Sequence, residues 1–248
     1  YRSLSSDSSD IEATANFTTR LGESPTSLSL NGTFERENSL RYQGLNSVTL
    51  VGPEASDGTR ESLFRTFGEE NPLTVDTRTT TYALGTTVNT SLGDWQITGT
   101  ADANRVKTRN LIDRRADTEA LLEAAAAGEF ALDADISLPY AGFDRADTQT
   151  DTANAVVTAI GRPLLLPAGE VSLTVDGGYN FTRIESHDTR NPVETSLRRG
   201  NLNGGINVGI PITSVRDDFG AAIGDLNLNL AAGVDHLSDF GTLTDWTA

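Results

Sequence analysis

The amino-acid sequence predicts an all-β fold built from antiparallel, up-and-down strands. Apolar and polar residues alternate with period 2, the alternating runs span about ten to twelve residues, and short and long connections take turns between them. Strands of globular proteins average ~5–6 residues, whereas a tilted strand needs ~9–11 residues to cross a bilayer. These observations indicate a segment of a transmembrane β-barrel with long external loops.

The strand predictions rest on side-chain alternation. Between Val171 and Thr182, aliphatic, aromatic and glycine residues alternate with polar residues and a second glycine, and leucine alternates with asparagine from Leu226 to Leu230. Such patterning puts one set of side chains on each side of a sheet. A ninth strand is expected to begin near Thr242. The eight full strands are predicted at Ile11–Leu21, Thr26–Arg36, Val75–Leu92, Trp95–Val106, Ala153–Leu165, Val171–Thr182, Leu202–Ile210 and in the run from Gly224.

The connections predict which end of each strand lies outside the cell. Short turns are expected at Gly22–Pro25, Gly93–Asp94 and Leu166–Gly169, and long loops at 37–74, 107–152 and 184–199. Outer-membrane barrels have short turns on the periplasmic side and longer loops outside. The link 211–224 has the place of a short turn but the length of a loop. All eight prolines are expected in connections or at strand ends, where a missing N–H does least harm.

One helix is predicted, within the second long loop. The run from Thr118 to Ala127 is rich in alanine, Asp117 is placed to cap it, and Gly128 is placed to end it. The stretch from Lys107 to Thr152 contains ten Asp or Glu residues and only five Lys or Arg residues. This acidic balance suits a cationic or neutral ligand better than an anionic one.

Composition excludes several classes of protein. The 248 residues carry 19 basic and 35 acidic side chains, a net charge of −16, which argues against a nucleic-acid partner. Cysteine is absent, so disulfide scaffolds, zinc ribbons and thiol catalysis are excluded. Hydrophobic residues make up 37% without glycine, of which there are 23, whereas the ~45–50% of globular domains is counted with glycine. Methionine is absent too, and an interior portion of a longer protein is therefore expected.

Enzymatic and metal sites find little support, and no catalytic, cofactor-binding or metal-ligating residue is assigned. The two histidines, His187 and His236, are predicted to be solvated; a trio of Ser186, His187 and Asp188 is unsuitable because triads are assembled in space. Asp133 and Asp135 match no calcium-binding loop.

Other polar and aromatic residues fit the two faces of a barrel wall. Trp95 follows a predicted turn and Phe34 lies near the far end of its strand, at the depths of aromatic girdles. Asparagines of Asn-x-Ser/Thr sequons occur inside predicted strands, so they are expected on the polar face rather than as glycan sites. These asparagines are Asn16, Asn31, Asn89 and Asn180.

Three stretches are similar to a known family. Gly224-Asp-Leu-Asn-Leu-Asn-Leu and His236-Leu-Ser-Asp-Phe-Gly-Thr-Leu-Thr-Asp-Trp246 together resemble the barrel region of TonB-dependent outer-membrane receptors of proteobacteria. Phe67-Gly68 followed by Pro72-Leu73-Thr74, and Leu92-Gly93-Asp94-Trp95 at a hairpin, resemble the same family. The resemblance covers essentially the whole chain and lies in short strings rather than in one diagnostic motif.

The resemblance implies a barrel of about 22 strands with a plug in its lumen. Residues 1–248 would then be part of a single transmembrane β-barrel domain, a middle segment of about eight or nine strands, with the plug domain and the closing strands outside it. The implied partners are the remainder of the barrel and plug, outer-membrane lipid and lipopolysaccharide, and the TonB energy-transducing complex acting through the plug.

The implied function is active nutrient uptake across the outer membrane of a Gram-negative bacterium. A scarce small ligand (a siderophore, vitamin or saccharide) would bind outside the cell and be imported into the periplasm. The residues that contact this ligand are not assigned; the long loops 37–74 and 107–152 are expected to touch it. Their acidic balance fits divalent-cation bridging to lipopolysaccharide equally well. Two alternatives stay open: a passive porin-like barrel, and a soluble β-rich binding or adhesion protein whose apolar faces form a core.

Overall fold

A computed structural model describes residues 1–22 and 25–248 of the chain. It contains eleven strands, one α-helix and a single 3₁₀ turn, Ala221–Ile223. The strands and the helix are β1 (Asp7–Arg20), β2 (Ser27–Gly44), β3 (Asn46–Glu54), β4 (Arg60–Phe67), β5 (Leu73–Leu92), β6 (Trp95–Asp113), α1 (Glu119–Ala127), β7 (Phe143–Leu166), β8 (Gly169–Asp188), β9 (Asn191–Thr213), β10 (Leu226–Leu237) and β11 (Gly241–Thr247).

Nine strands form one antiparallel sheet. Their order is β1-β2-β5-β6-β7-β8-β9-β10-β11, so that each strand pairs with the next one of the sheet along the chain, and β3 and β4 form a separate hairpin. This arrangement confirms the predicted class, an all-β, up-and-down antiparallel sheet of the barrel type. The expected ninth strand is β11, and in the described residues β1 and β11 are the two edges of the sheet.

The strands are longer than the alternation predicts, and one predicted loop is wrong. Residues 184–199 form the ends of β8 and β9 joined by a two-residue turn, Thr189–Arg190, rather than a long loop. The strand pairing continues there, from Ile184 opposite Leu197 to Asp188 opposite Asn191. The alternation ends earlier because polar side chains lie on both faces of this part of the sheet.

The two other predicted long loops are partly strand as well. In 37–74, β2 continues to Gly44 and the β3–β4 hairpin follows before β5 begins. In 107–152, β6 continues to Asp113 and β7 begins at Phe143. The Gly93–Asp94 turn and the turn at Pro167–Ala168 are found as predicted, while the predicted turn at Gly22–Pro25 contains 23 and 24, which lie outside the described residues.

The predicted helix is found. It spans Glu119–Ala127, one residue shorter than predicted, and its N-cap is Thr118, whose side chain makes no capping hydrogen bond. The Asp117 carboxylate, predicted to cap the helix, lies one residue earlier and accepts a hydrogen bond from the Glu119 backbone N–H at 2.9 Å. Gly128 ends the helix in the left-handed conformation with φ 72°, which glycine adopts without steric cost.

Two prolines lie inside strands, contrary to the prediction that all eight occupy connections or strand ends. Pro163 lies in β7 at a register shift against β8 between Gly161 and Leu164. Pro211 lies in β9 beside the register shift between Leu226 and Asn227 of β10. A bulge removes the ladder bond that proline cannot donate, so the strand tolerates the residue.

The register sorts the side chains of the nine-stranded sheet into two faces. Directly paired residues point to the same side, and the pairing connects odd positions of β1, β6, β7 and β8 with even positions of β2, β5, β9, β10 and β11. We call this side the apolar face and the opposite side the polar face.

The sheet has almost no hydrophobic core. Within the part of the chain that the structure describes, the buried hydrophobic side chains are Leu50, Phe67, Leu73, Ala125, Leu132 and Ala168. Three of these, Leu50, Ala125 and Leu132, form one cluster in the two long connections between the main strands. Among residues 1–22 and 25–248, no helix is long and apolar enough to cross a membrane.

Candidate functional site

The apolar face carries a continuous hydrophobic band, which we call the apolar belt. The belt comprises the apolar-face side chains of a central segment of each strand. On four of the strands these segments are 82–92 of β5, 95–103 of β6, 171–181 of β8 and 226–234 of β10, and the register defines the matching segments of the neighbouring strands. Each of these segments has 9–11 residues, the length that a tilted strand needs to cross a bilayer.

The belt is open to the surroundings of the molecule. Leu84 is 68% exposed, Leu202 is 58% exposed and Val157 is 54% exposed. Proteins in water rarely expose contiguous apolar patches larger than a few hundred Å². An apolar surface that runs across eight neighbouring strands therefore requires an apolar environment.

Aromatic rings mark both margins of the belt. The rings of Phe34 and Tyr82, which are direct register partners, lie 5.3 Å apart at the margin nearer to the long connections. Trp95 lies at the other margin, next to the Gly93–Asp94 turn, and its ring covers Gly161 of β7. The two aromatics that the sequence predicts at girdle depths thus occupy opposite margins.

Beyond the Phe34–Tyr82 margin, the same face becomes charged. Tyr82 pairs with Arg105, which pairs with Asp151, and the row continues through Arg183 to Arg198. Arg105 contacts Asp151 at 2.5 Å, and the Arg198 guanidinium lies 5.4 Å from the centre of the Phe181 ring. On β2, β6, β7 and β8 the change from apolar to charged side chains occurs between consecutive residues of this face, whereas on β5 Thr80 separates Tyr82 from Arg78.

The polar face is lined by amide, carboxylate and hydroxyl groups. One register row crosses seven neighbouring strands and consists of Asn or Asp except at Gly85; it runs Asn16, Asn31, Gly85, Asp102, Asn154, Asn180 and Asn201. Three of these asparagines belong to the sequons, and Asn89 lies on the same face, as predicted. A hydrogen bond from Thr98 Oγ1 to Asn89 Oδ1 at 2.9 Å joins β6 to β5 on this side.

Crowding indicates that the polar face is the concave side of the sheet. A Cβ on the polar-face Gly205 would lie 2.8 Å from Asp176 Oδ1, and one on Gly178 would lie 2.7 Å from Asn203 Oδ1. On the apolar face, Cβ atoms on Gly32, Gly99, Gly177 and Gly204 would lie 3.4–3.8 Å from their nearest neighbours. Closer contacts on this face occur under aromatic rings, at Gly161 below Trp95 and at Gly200 below Tyr179. Side chains converge on the inner side of a curved sheet and diverge on the outer side, so the polar groups face the interior.

The hairpin β3–β4 and helix α1 pack into one small unit, which we call the cap (46–67 and 116–134). Its core consists of Leu50, Ala125 and Leu132, with Val48 and Phe130 packed against them. Leu50 is completely buried, unlike any side chain of the belt in the described residues. The two long connections therefore form one folded body at the end of the sheet where β2 and β6 terminate.

Polar contacts also hold the two halves of the cap together. Arg65 Nη1 donates to the carbonyl oxygen of Leu132 at 3.2 Å and to that of Ala134 at 2.5 Å, and its guanidinium lies 5.1 Å from the centre of the Phe67 ring. The Asn46 side-chain oxygen accepts a hydrogen bond from the Ala116 N–H at 2.9 Å.

A carboxylate anchors the connections at the base of the cap. Asp113 accepts hydrogen bonds from the Thr74 N–H at 2.8 Å, the Thr74 hydroxyl at 2.7 Å and the Tyr140 hydroxyl at 2.9 Å. Desolvation and the neighbouring Asp113 carboxylate raise the pKa of the Tyr140 phenol. At the tip of the hairpin, hydrogen bonds from Thr59 lower the pKa of Asp57.

The histidines do not form a catalytic arrangement in the described residues. His187 lies on the apolar-face side of β8 and contacts Glu194 at 3.2 Å, whereas the neighbouring Ser186 points to the polar face. His236 Nδ1 lies 2.8 Å from the Thr242 hydroxyl oxygen. In residues 1–22 and 25–248, no group of three or more His, Cys, Asp or Glu side chains is placed to hold a metal ion.

Comparison with known proteins gives a structural likeness to an outer membrane transporter. No protein-family model matches the chain, and no curated protein matches it. Among solved structures, the chain is similar to the crystal structure of the outer membrane transporter YddB from Escherichia coli, with a TM-score of 0.42 and 9% sequence identity. The likeness covers 97% of this chain and 35% of the transporter, so the chain spans about a third of that protein's length.

Proposed function

We propose that the chain is part of an outer-membrane β-barrel that transports a solute. The observation that carries this proposal is the apolar belt, which is exposed on the convex face while the concave face is polar. Lipid would cover the belt, and the polar face would line a water-filled lumen. A soluble β protein would instead turn its apolar face into a core, and Leu84, Val157 and Leu202 lie in no such core.

The barrel needs more strands than the nine of this sheet. Each unpaired backbone group in lipid costs several kcal/mol, so the free edges of β1 and β11 must be paired in a membrane. We infer that further strands of the same protein close the barrel around a lumen that a plug occupies.

The proposed orientation places the cap outside the cell. The short turns Gly93–Asp94 and Pro167–Ala168 lie at the opposite end of the sheet, which would face the periplasm. With its two long connections folded into one body, the cap offers an external surface for capturing a ligand. The acidic balance of 107–152 favours a cationic or neutral ligand.

For the solute, we propose TonB-dependent import of a scarce nutrient. The resemblance of the strings around Phe67, Leu92 and Gly224 to TonB-dependent receptors supports this mechanism. The implied ligand is a siderophore, a vitamin or a saccharide, and the TonB complex would act through the plug. A passive barrel would share the belt and the polar lumen but would need neither plug nor energy.

Uptake by cells that express the full-length protein tests this proposal. Cells with and without functional TonB would be given an iron–siderophore complex, cyanocobalamin and a maltooligosaccharide, and accumulation would be measured. We expect one of these probes to accumulate only when TonB is present. Equal accumulation in both strains would identify a passive barrel, and retention of the protein in the soluble fraction would refute the membrane assignment.

A further inference from the structure

A hollow of about 240 Å³ lies in the concave wall of the sheet, where β5, β6, β7 and β8 run side by side. We call it the amide hollow. Two neighbouring register rows of the polar face line it: Asn31, Asp102, Asn154 and Asn180 in the first row, and Ala83, Asn104, Thr152 and Thr182 in the second. Asp102 and Asn180 belong to the strand segments of the apolar belt, so the hollow lies within the membrane-spanning part of the wall.

The polar side chains of the amide hollow are not used by the protein itself. Among the described residues, its four asparagines, its two threonines and Asp102 make no side-chain hydrogen bond. Elsewhere on the polar face such groups bind one another, as Thr77 Oγ1 does when it donates to Asn110 Oδ1 at 2.7 Å. The donors and acceptors of the hollow are therefore available to a ligand.

A glycine makes room for the one charged group of the hollow. Gly85 lies between Asn31 and Asp102 in the first register row. A Cβ on Gly85 would lie 2.8 Å from Asp102 Oδ1 and would overlap the Asn31 amide group. Because Gly85 has no side chain, the amide and the carboxylate both extend over it, and a negative charge lies beside an amide.

The charge of the polar face favours a cation. The register places three basic side chains on this face: Arg20 and Arg41 near strand ends, and Arg199, which contacts Asp239 at 2.6 Å. A wall lined by one sign of charge concentrates ions of the opposite sign. In the described residues, eight carboxylates of this face have no ion-pair partner, namely Asp10, Glu12, Glu35, Glu37, Asp102, Asp176, Asp235 and Asp245.

The aromatic side chains of the sheet lie on the other face. Sites for neutral organic ligands are lined mostly by apolar and aromatic side chains. In the part of the chain that the structure describes, the register places every aromatic residue of the nine strands on the apolar face, namely Phe17, Phe34, Tyr42, Tyr82, Trp95, Phe143, Tyr179, Phe181 and Trp246. The polar face therefore offers a ligand charge and hydrogen bonds rather than stacking.

We propose that the amide hollow binds the ammonium group of a cationic solute on its way through the lumen. An ammonium group has three N–H donors and no acceptor. Asp102 would neutralise its charge, and the Oδ1 atoms of Asn31 and Asn154, which flank Asp102 in the row, would accept further charge-assisted hydrogen bonds. The inference rests on the proposed solute transport and narrows the solute to one that carries a positive charge.

Cysteine protection tests this site in the full-length protein. A single cysteine is placed in the wall of the hollow by Ala83→Cys, and its modification by an uncharged methanethiosulfonate reagent is followed in detergent. The competing probes are spermidine and its fully acetylated, uncharged derivative. We expect spermidine to protect the cysteine at about tenfold lower concentration, because the charged wall enriches cations. Equal protection by the two probes, or protection by neither, would overturn the proposal.

A cysteine at position 83 that the reagent does not modify would also overturn it. That result would mean that another part of the protein covers the hollow and that its polar groups serve this contact instead of a solute.

Variants of the Ala83→Cys protein locate the cation. Asp102→Asn should abolish the preference for spermidine, whereas Asp94→Asn, which removes the same charge from the β5–β6 turn, should keep it. An unchanged preference after Asp102→Asn would contradict the site. Heat-modifiable migration of the same samples reports barrel formation: loss of the preference in an intact barrel concerns the hollow alone, and a protein that forms no barrel would refute the proposed function and this inference with it.

Discussion

At the residue scale, the face on which a side chain lies decides its environment. On β10, Leu230 and Asn229 are neighbours in sequence, yet Leu230 pairs with Val208 on the apolar face and Asn229 pairs with Gly209 on the polar face. Leu230 is at the middle of the belt segment 226–234. The two positions lie at the same depth on one strand, and their side chains point to opposite faces of the sheet.

Arginine substitutions should separate these two positions. We expect Leu230→Arg to lower the free energy of unfolding by ~2–4 kcal/mol, because a cation on the lipid face near the bilayer midplane is poorly solvated. Asn229→Arg should cost much less, since its side chain enters a wet lumen. Denaturant unfolding of the full-length protein in lipid vesicles measures both; equal costs would contradict the assignment of faces.

A second pair of positions tests the packing of Trp95 at the margin of the belt. A Cβ on Gly161 would lie 2.5 Å from Trp95 Cδ2, whereas one on Gly99, on the neighbouring strand and the same face, would lie 3.8 Å from Val157. Overpacking typically costs ~1–3 kcal/mol, so Gly161→Ala should destabilise the barrel by about that amount and shift the emission of Trp95.

Gly99→Ala is the control for this packing. It adds the same methyl group where there is room, so we expect its stability and Trp95 emission to match those of the wild type. If Gly161→Ala also left both quantities unchanged, Trp95 would not be packed on β7 as the structure has it.

The sequence predicts well on which face of the sheet a side chain lies, but poorly which residues lie opposite each other on neighbouring strands. The alternation along each strand is enough to place Asn16, Asn31 and Asn180 on the polar face. Their meeting in one row with Asp102 and Asn154 depends on the register of five strand pairs. That register depends on turn geometry and on chain segments without periodicity, so the row becomes visible only in the structure.

At the scale of elements, the cap is the part of the chain that behaves like a soluble protein. Leu50 is fully buried between β3, α1 and the segment that contains Leu132, which is the packing that the main sheet lacks. Truncating a buried leucine leaves a cavity and costs ~2–5 kcal/mol. The cap and the barrel should therefore respond separately to core mutations.

We expect Leu50→Ala to loosen the cap without unfolding the barrel. Hydrogen exchange of β3, β4 and α1 should speed up, while the exchange of β6 to β8 and the heat-modifiable migration stay as in the wild type. Thr49→Ala, at the exposed neighbouring position, is the control and should change neither. Simultaneous loss of protection in β6 to β8 would mean that the cap is integral to the sheet.

Local signals predicted the helix and missed the extended strands. Gly128 ends α1 as predicted, whereas the N-cap is Thr118, and Asp117 only accepts a hydrogen bond from the Glu119 N–H. The ends of β8 and β9 lack alternation because Arg183, Glu185 and Ser186 place polar groups on both faces. Beyond the bilayer, this part of the β8–β9 hairpin is held by backbone hydrogen bonds between the strands. Such bonds do not depend on side-chain hydropathy, so the alternation pattern cannot predict them.

At the scale of the whole molecule, the nine-stranded sheet is layered along its strands. Short turns lie at one end, the apolar belt follows, then the charged rows, and the cap lies at the end where β2 and β6 terminate. The hydrophobic content, 37% without glycine, is compatible with this layering, because a barrel wall needs only one apolar face and only over the thickness of the bilayer.

Site-directed spin labelling along β8 tests the membrane assignment most directly. The 248 residues contain no cysteine, so single cysteines can be introduced from 171 to 187 in the full-length protein, reconstituted in vesicles. We expect odd positions from Val171 to Phe181 to be accessible to oxygen, and even positions to a water-soluble nickel chelate. From Arg183 to His187 the odd positions should become accessible to the chelate as well. Odd positions shielded from both reagents, or no change beyond Phe181, would contradict a lipid-facing belt.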